Sequence, residues 1–362
     1  MTSRHEAAAT ALVMSLAIGV LPALSHAQSN TCPVIEGHQP TSLRLTHPAA
    51  KQIRAAESQF KKLREFSGLA VVPDGSSPDG FSLWTIDDGE PLLIRLSSAG
   101  EIAQAVEVQG ADDLEEIAYD PEKQRLAVVS EQSGRVRFFK RQGSGGFEET
   151  GGFTLAELSG YDGKDARDVS GNTLKAYYES DTAFEEAKGK RPNSGWEGMT
   201  FTGDGRMYFV KEKNPAILIE VRLNEADLRK STITDIVMLN CGSRKKRRLC
   251  PEMKPGASLP FSDKVEVQGQ DDGDDDKVLD FSGLAYDATS KKLWITSDQG
   301  QAAILFDPET RVFSAFPLID DARRCLPHAE GITLSVDGAK LFVITDEKRQ
   351  DDSTLLTYDI AR

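Results

Sequence analysis

The chain has 362 residues, 39% hydrophobic and 28% charged, with a formal net charge of −14. That length allows one large domain or two ordinary ones. So acidic a balance excludes a general nucleic-acid or anionic-lipid surface and favours cationic partners.

Residues 1–27 read as a signal peptide. Arg4 gives a basic start, residues 11–24 are apolar, and Ser25-His26-Ala27 is a small-x-small cleavage site. The apolar run is short for a bilayer span, and a retained anchor is the competing reading. No later stretch reaches about 18 apolar residues, so no further membrane crossing is expected. The mature chain, 28–362, is expected to be periplasmic or secreted.

Export bears on the four cysteines. In an oxidising compartment they read as two disulfides rather than a zinc site, whose spacing they do not match. Cys241–Cys250 closes a short loop and leaves Cys32–Cys325 to join the two ends of the chain.

After the leader, a segment near Ser42–Thr46 has strand character, and Ala55–Arg64 reads as a helix. A short phrase then recurs five times: Phe66-Ser67-Gly68-Leu69-Ala70, Leu114-Glu115-Glu116-Ile117-Ala118, Trp196-Glu197-Gly198-Met199-Thr200, Phe281-Ser282-Gly283-Leu284-Ala285 and Ala329-Glu330-Gly331-Ile332-Thr333. Each copy leads to a turn, a second apolar run ending on acid, and in most copies a third strand. Short strands rich in β-branched and aromatic residues, repeated at a unit near 48 residues, predict an all-β single β-propeller with antiparallel blades of three to four strands. The second residue of the phrase falls at 67, 115, 197, 282 and 330, so two steps are long. Five blades with insertions at about 159–195 and 241–277 is the reading adopted, and six blades is the alternative. The last repeat lacks an outer strand, which the segment near Ser42–Thr46 is expected to supply.

Inner strands of a propeller line its channel, so the start of the first strand and the end of the second share one face. Repetition therefore predicts a ring of Glu115, Glu197 and Glu330, completed by Ser67 and Ser282. Outside it would stand Asp88, Glu131, Glu212, Asp298 and Asp346. Carboxylates this crowded need raised pKa values, basic partners or a hard cation. An all-oxygen set from several blades suits calcium. For the outer acids the rival reading is hairpin capping or pairing with Lys211, Lys213 and Lys348. The acidic run 271–276 lacks the ligand spacing of an EF-hand, and Arg244-Lys245-Lys246-Arg247-Arg248 reads as a solvated loop.

At Phe66–Ala70, Asp113–Tyr119, Trp196–Phe201 with Phe209–Pro215, Asp280–Tyr286, and Ala329–Thr333 with Thr345-Asp346-Glu347, the chain resembles the SdiA-regulated (YjiK-like) family of bacterial envelope proteins. The likeness covers roughly residues 60–362 and overlaps with propellers described as phytase-like or esterase-like. It implies a propeller of phytase-like geometry, associated with calcium and the cell envelope, with no settled enzymatic activity.

Two functional classes follow. One is a non-enzymatic calcium-binding propeller acting as scaffold, sensor or calcium buffer. The other is a calcium-dependent phosphoesterase, which needs basic side chains such as Lys211 and Lys213 to hold substrate phosphate. Catalytic histidine is not supported, since only His38, His47 and His328 follow the leader, and Ser67 and Ser282 lack a Gly-x-Ser-x-Gly elbow. The expected partners are calcium or a small ligand at the channel mouth.

Overall fold

The computed structural model describes residues 32–55, 63, 65–111, 113–142, 146–163, 168, 171–177, 195–213, 215–241, 259–261, 265–266, 279–346 and 353–362. Strands β1 (Val34–Ile35), β2 (Arg44–Gln52) and β3 (Arg54–Ala55) precede the first blade. Blade one holds β4 (Phe66–Pro73), β5 (Phe81–Asp87), β6 (Leu92–Leu96) and β7 (Glu101–Glu107). Blade two holds β8 (Leu114–Asp120), β9 (Arg125–Ser130), β10 (Arg135–Arg141) and β11 (Phe147–Thr154). Blade three holds β12 (Trp196–Phe201), β13 (Arg206–Lys211), β14 (Ala216–Arg222) and β15 (Thr232–Asn240). After β16 (Val265–Glu266), which pairs with β1, blade four holds β17 (Leu284–Asp287), β18 (Lys292–Ser297), β19 (Ala302–Phe306) and β20 (Phe313–Pro317). Blade five holds β21 (Ala329–Leu334), β22 (Lys340–Thr345) and β23 (Thr354–Ala361), with β2 as its outer strand. The protein is a five-bladed propeller.

Both faces of each blade are covered, which is why the strands read as continuous apolar runs rather than alternating ones. Successive residues serve opposite neighbours. In β18, Leu293 and Ile295 pack toward blade three, while Trp294 packs toward blade five. Five apolar layers result, one between each pair of adjacent blades. Both insertions send residues into these layers: Leu174 and Tyr177 are fully buried between blades two and three. Phe261 stacks 4.2 Å from Phe313 beside blade four.

Closure uses the N-terminal segment twice. The strand expected near Ser42–Thr46 spans Arg44–Gln52 and pairs antiparallel with β23. Beyond it, Arg54 and Ala55 pair in parallel with Glu101 and Ile102 on blade one. The expected helix over Ala55–Arg64 is therefore not formed at Ala55. Arg54 N donates to Gly100 O at 3.0 Å, and Ile53 is fully buried, so pairing at the blade edge overrides local helix propensity. Residues 56–62 and 64 lie outside the described residues, as do 1–27, the basic loop, the acidic run 271–276 and Lys348. Cys32 and Cys325 form a disulfide with Cα atoms 5.4 Å apart, tying residues 293 apart in sequence. Cys241 is also disulfide-bonded, and Cys250 lies outside the described residues.

The blades meet at the axis on one side chain. The third residue of the repeated phrase is glycine in four blades (Gly68, Gly198, Gly283 and Gly331) and Glu116 in blade two. Each glycine lets the next blade's backbone pass close. A Cβ on Gly283 would stand 2.5 Å from the Glu330 carbonyl oxygen, and one on Gly331 would stand 2.5 Å from the Gly68 carbonyl carbon. Glu116 fills the space that the glycines leave and has no solvent exposure. Its carboxylate accepts from Leu69 N at 3.0 Å, Ile117 N at 2.9 Å and Leu284 N at 3.1 Å, and also from Met199 N. Amides of four blades thus converge on one acceptor, which closes the channel between two mouths. Burial raises the pKa of Glu116, and the four amides pull it back by favouring the anion.

Replacing Glu116 with Gln is expected to destabilise the protein by about 2–4 kcal/mol, because an NH2 group would then face amide donors. Glu116→Leu, which orphans all four amides, should cost more. Chemical denaturation measures both, and a Gln variant of wild-type stability would refute the axial role.

Candidate functional site

One mouth of the channel is acidic, and the reason is local. In β8, β12 and β21 the ladder to the neighbouring strand skips the second residue of the phrase: Leu114 and Glu116, Trp196 and Gly198, Ala329 and Gly331 are paired, while Glu115, Glu197 and Glu330 are not. A β-bulge of this kind re-aims the extra residue's side chain away from the sheet. Three blades therefore turn a glutamate to the same end of the axis.

These residues line a cavity of about 200 Å³, together with Glu65, Ser67, Asp88, Glu131, Glu212 and Asp346. At its wall between blades one and two, Asp88, Asp113 and Glu115 each offer a carboxylate oxygen within 4.8 Å of the others. Glu131 is anchored: one oxygen accepts from Gly195 N at 2.7 Å and the other from the Gln132 amide at 2.6 Å. Asp280 accepts from Ser297 Oγ at 2.9 Å and Gln299 N at 3.0 Å. Glu212 pairs through Oε1 with Lys213, while its Oε2 is buried without a hydrogen-bond partner.

The shared environment moves the pKa values in one direction. Burial first, and neighbouring carboxylates second, push Glu115, Glu197 and Glu330 well above the ordinary range. Asp88 is raised to about 6, by burial and then by Asp113. Glu212 is raised to about 7 by burial, against the pull of Lys213. Burial lowers the Lys213 pKa, but Glu212 outweighs it and the net shift is upward.

Glu115, Glu197 and Glu330 thus share one cavity with Asp88, Glu131, Glu212 and Asp346 of the outer set. Asp298 stands at the edge, accepting from His328 N at 2.5 Å and from Gln299 Nε2 at 3.0 Å. Both serines join blades, Ser67 Oγ donating to Glu115 O at 2.7 Å and Ser282 Oγ to Ala329 O at 3.1 Å, and of the two Ser67 also lines the cavity. Lys211, almost fully buried, donates to the Lys213 carbonyl at 2.6 Å. Repeat reasoning missed Glu65, Asp113 and Asp280 because they precede the phrase in their blades. An acid immediately before Phe66, Leu114 and Phe281 was the available signal.

No protein-family model matches the chain. Among solved structures it is similar to a Myxococcus xanthus glutaminyl cyclase, at 9% identity and TM-score 0.46, over 88% of this chain and 97% of that one. It is also similar to a PQQ-bound aldose sugar dehydrogenase from Streptomyces coelicolor, at 12% identity and TM-score 0.44, over 87% and 99%. A luciferin-regenerating enzyme matches at 13% identity and TM-score 0.40, over 86% and 95%. At such values none of these proteins' activities carries over.

The raised carboxyl values set a pH dependence. Between their unfolded values, 3.8 for Asp88 and 4.5 for Glu212, and folded values of about 6 and about 7, the folded protein binds more protons than the unfolded chain. Its metal-free stability must then fall as pH rises through that window. In chelator, Tm is expected to be several degrees higher near pH 5 than near pH 8, where the loss amounts to a few kcal/mol. A Tm that climbs over that range would contradict the shifts.

Proposed function

We propose that the acidic mouth binds calcium, and that the protein is an exported calcium-binding propeller with a binding, scaffold or calcium-homeostasis role in the cell envelope. The observation that carries this reading is the convergence of Glu115, Glu197, Glu330, Asp88, Glu131 and Glu212 on one cavity, of which Glu212 pairs with Lys213. Burying so many carboxyls is costly unless protons or a cation neutralise them. The donors are all oxygen, they come from different blades, and Glu212 keeps one buried oxygen without a partner. That set fits a hard ion taking six to eight oxygens in flexible geometry, whereas magnesium demands a tighter octahedron. The disulfide between Cys32 and Cys325 supports an oxidising compartment, and the described residues contain no helix long and apolar enough to cross a membrane. The resemblance to the SdiA-regulated family points the same way.

Hydrolysis of a phosphoester is the weaker reading. It requires cationic side chains free to hold substrate phosphate, and Lys213 is committed to Glu212 while Lys211 is buried against a backbone carbonyl.

A cation bound only by the folded state adds RT ln(1 + [L]/Kd), about 2.7 kcal/mol at a hundredfold excess over Kd. Thermal denaturation should therefore show a Tm several degrees higher in millimolar calcium than in chelator, with magnesium less effective. Glu197→Gln is expected to shrink the calcium shift, and Asp113→Asn tests whether the ion sits on the axis or between blades one and two. Equal Tm values in calcium and chelator would refute calcium binding. Calcium-dependent release of phosphate from p-nitrophenyl phosphate would move the assignment to the phosphoesterase.

A further inference from the structure

The other mouth of the channel is a separate, apolar funnel of about 310 Å³, walled by the far ends of the inner strands. The sixth position of the repeat stands there in every blade: Val71, Tyr119, Phe201, Tyr286 and Leu334. Backbone amides at this position face the axis, because successive residues of a strand alternate between the ladder and the open side. Two of them show it directly. Val71 N donates to Thr333 Oγ1 at 3.3 Å, and Tyr286 N donates to Thr200 Oγ1 at 3.1 Å. In each case the hydroxyl comes from the preceding blade.

The other three blades lack that hydroxyl. The residues equivalent to Thr200 and Thr333 are Ala70, Ala118 and Ala285, and they precede Tyr119, Phe201 and Leu334 around the ring. Alternation holds for these as well: Thr202 N and Ser335 N bond within their own hairpins, to Arg206 O at 3.1 Å and Lys340 O at 2.9 Å. The amides of Phe201 and Leu334 therefore point into the channel, and Tyr119, at the same register, adds a third donor. Amides in an apolar setting are costly without an acceptor. In two blades threonine supplies one, and in the other three the amide faces the funnel and what enters it.

We propose that this funnel binds a small neutral molecule with an apolar or aromatic body and a carbonyl acceptor, of the amide, ester or ketone class. The carbonyl accepts from two of the amides of Tyr119, Phe201 and Leu334, and the body packs on the rings of Tyr119, Phe201 and Tyr286. The volume suits a single-ring compound. Neutrality follows from the lining, where exposed Asp337 would repel an anionic head.

The test uses the exported chain with calcium present, labelled with 13C at methionine methyls, since Met199 lines the funnel. Benzamide, benzoate and toluene are the probes. Benzamide is expected to move the Met199 methyl signal and to bind about tenfold more tightly than the other two, the worth of the acceptor's hydrogen bonds. Ala118→Thr supplies the missing hydroxyl and should weaken benzamide about tenfold. Thr200→Ala frees one further amide and should strengthen it, which keeps the test decisive if the threonine variant fails to fold. The proposal is overturned if no probe moves Met199, if toluene or benzoate matches benzamide, or if both variants bind as the parent does.

Discussion

Everything in this propeller is arranged around the Glu116 carboxylate. A five-bladed ring is narrow enough for one side chain to reach the amides of four blades, and Leu69, Ile117, Met199 and Leu284 all donate to it. Such a bond set is strong because the site is dry and the acceptor charged. It also demands absence elsewhere: glycine at 68, 198, 283 and 331 keeps the backbones within reach. A second large side chain at any of those positions would hold the blades apart.

The plug has a functional consequence, since it divides one channel into two sites of opposite character. On one side, bulged glutamates and the acids before three of the inner strands gather around a cavity that favours protons or a cation. On the other, the inner strands end in a largely apolar funnel, with threonines and Asp337 among its polar groups. Because Glu116 is held by backbone, neither mouth can relax into the other.

Crowding carboxyls at one mouth works against the folded state, and the fold offsets it through the five interblade layers and the closure of the ring. Buried Trp84, Trp196 and Trp294 each lie in such a layer. Closure joins β2 to blade five and β3 to blade one, with the Cys32–Cys325 bridge restraining the same region. A destabilised site on a well-tied scaffold is a common arrangement where binding later supplies the missing stabilisation.

Much of this was legible in the chain itself. Five copies of one phrase pointed to five blades, with six open until the sheets were seen, and to Glu115, Glu197 and Glu330 at one end, because a repeated register repeats side-chain direction. The apolar second and third runs likewise determined strands, and the missing outer strand pointed to the N-terminal segment. Other features were decided only by tertiary structure. Glu116 reads as one more copy of the phrase until the ring closes and four separate amides meet its side chain. Ser67 and Ser282 read as equivalent ring members, yet only Ser67 lines the cavity, and both hydroxyls donate to the next blade's carbonyls. The edge of blade one captured Ala55 from a helical reading, and Asp113, Asp280 and Glu65 gained their place through proximity across blades. Local pattern fixes what repeats within a blade, whereas contacts between blades join residues far apart in sequence and appear only once the circle is complete.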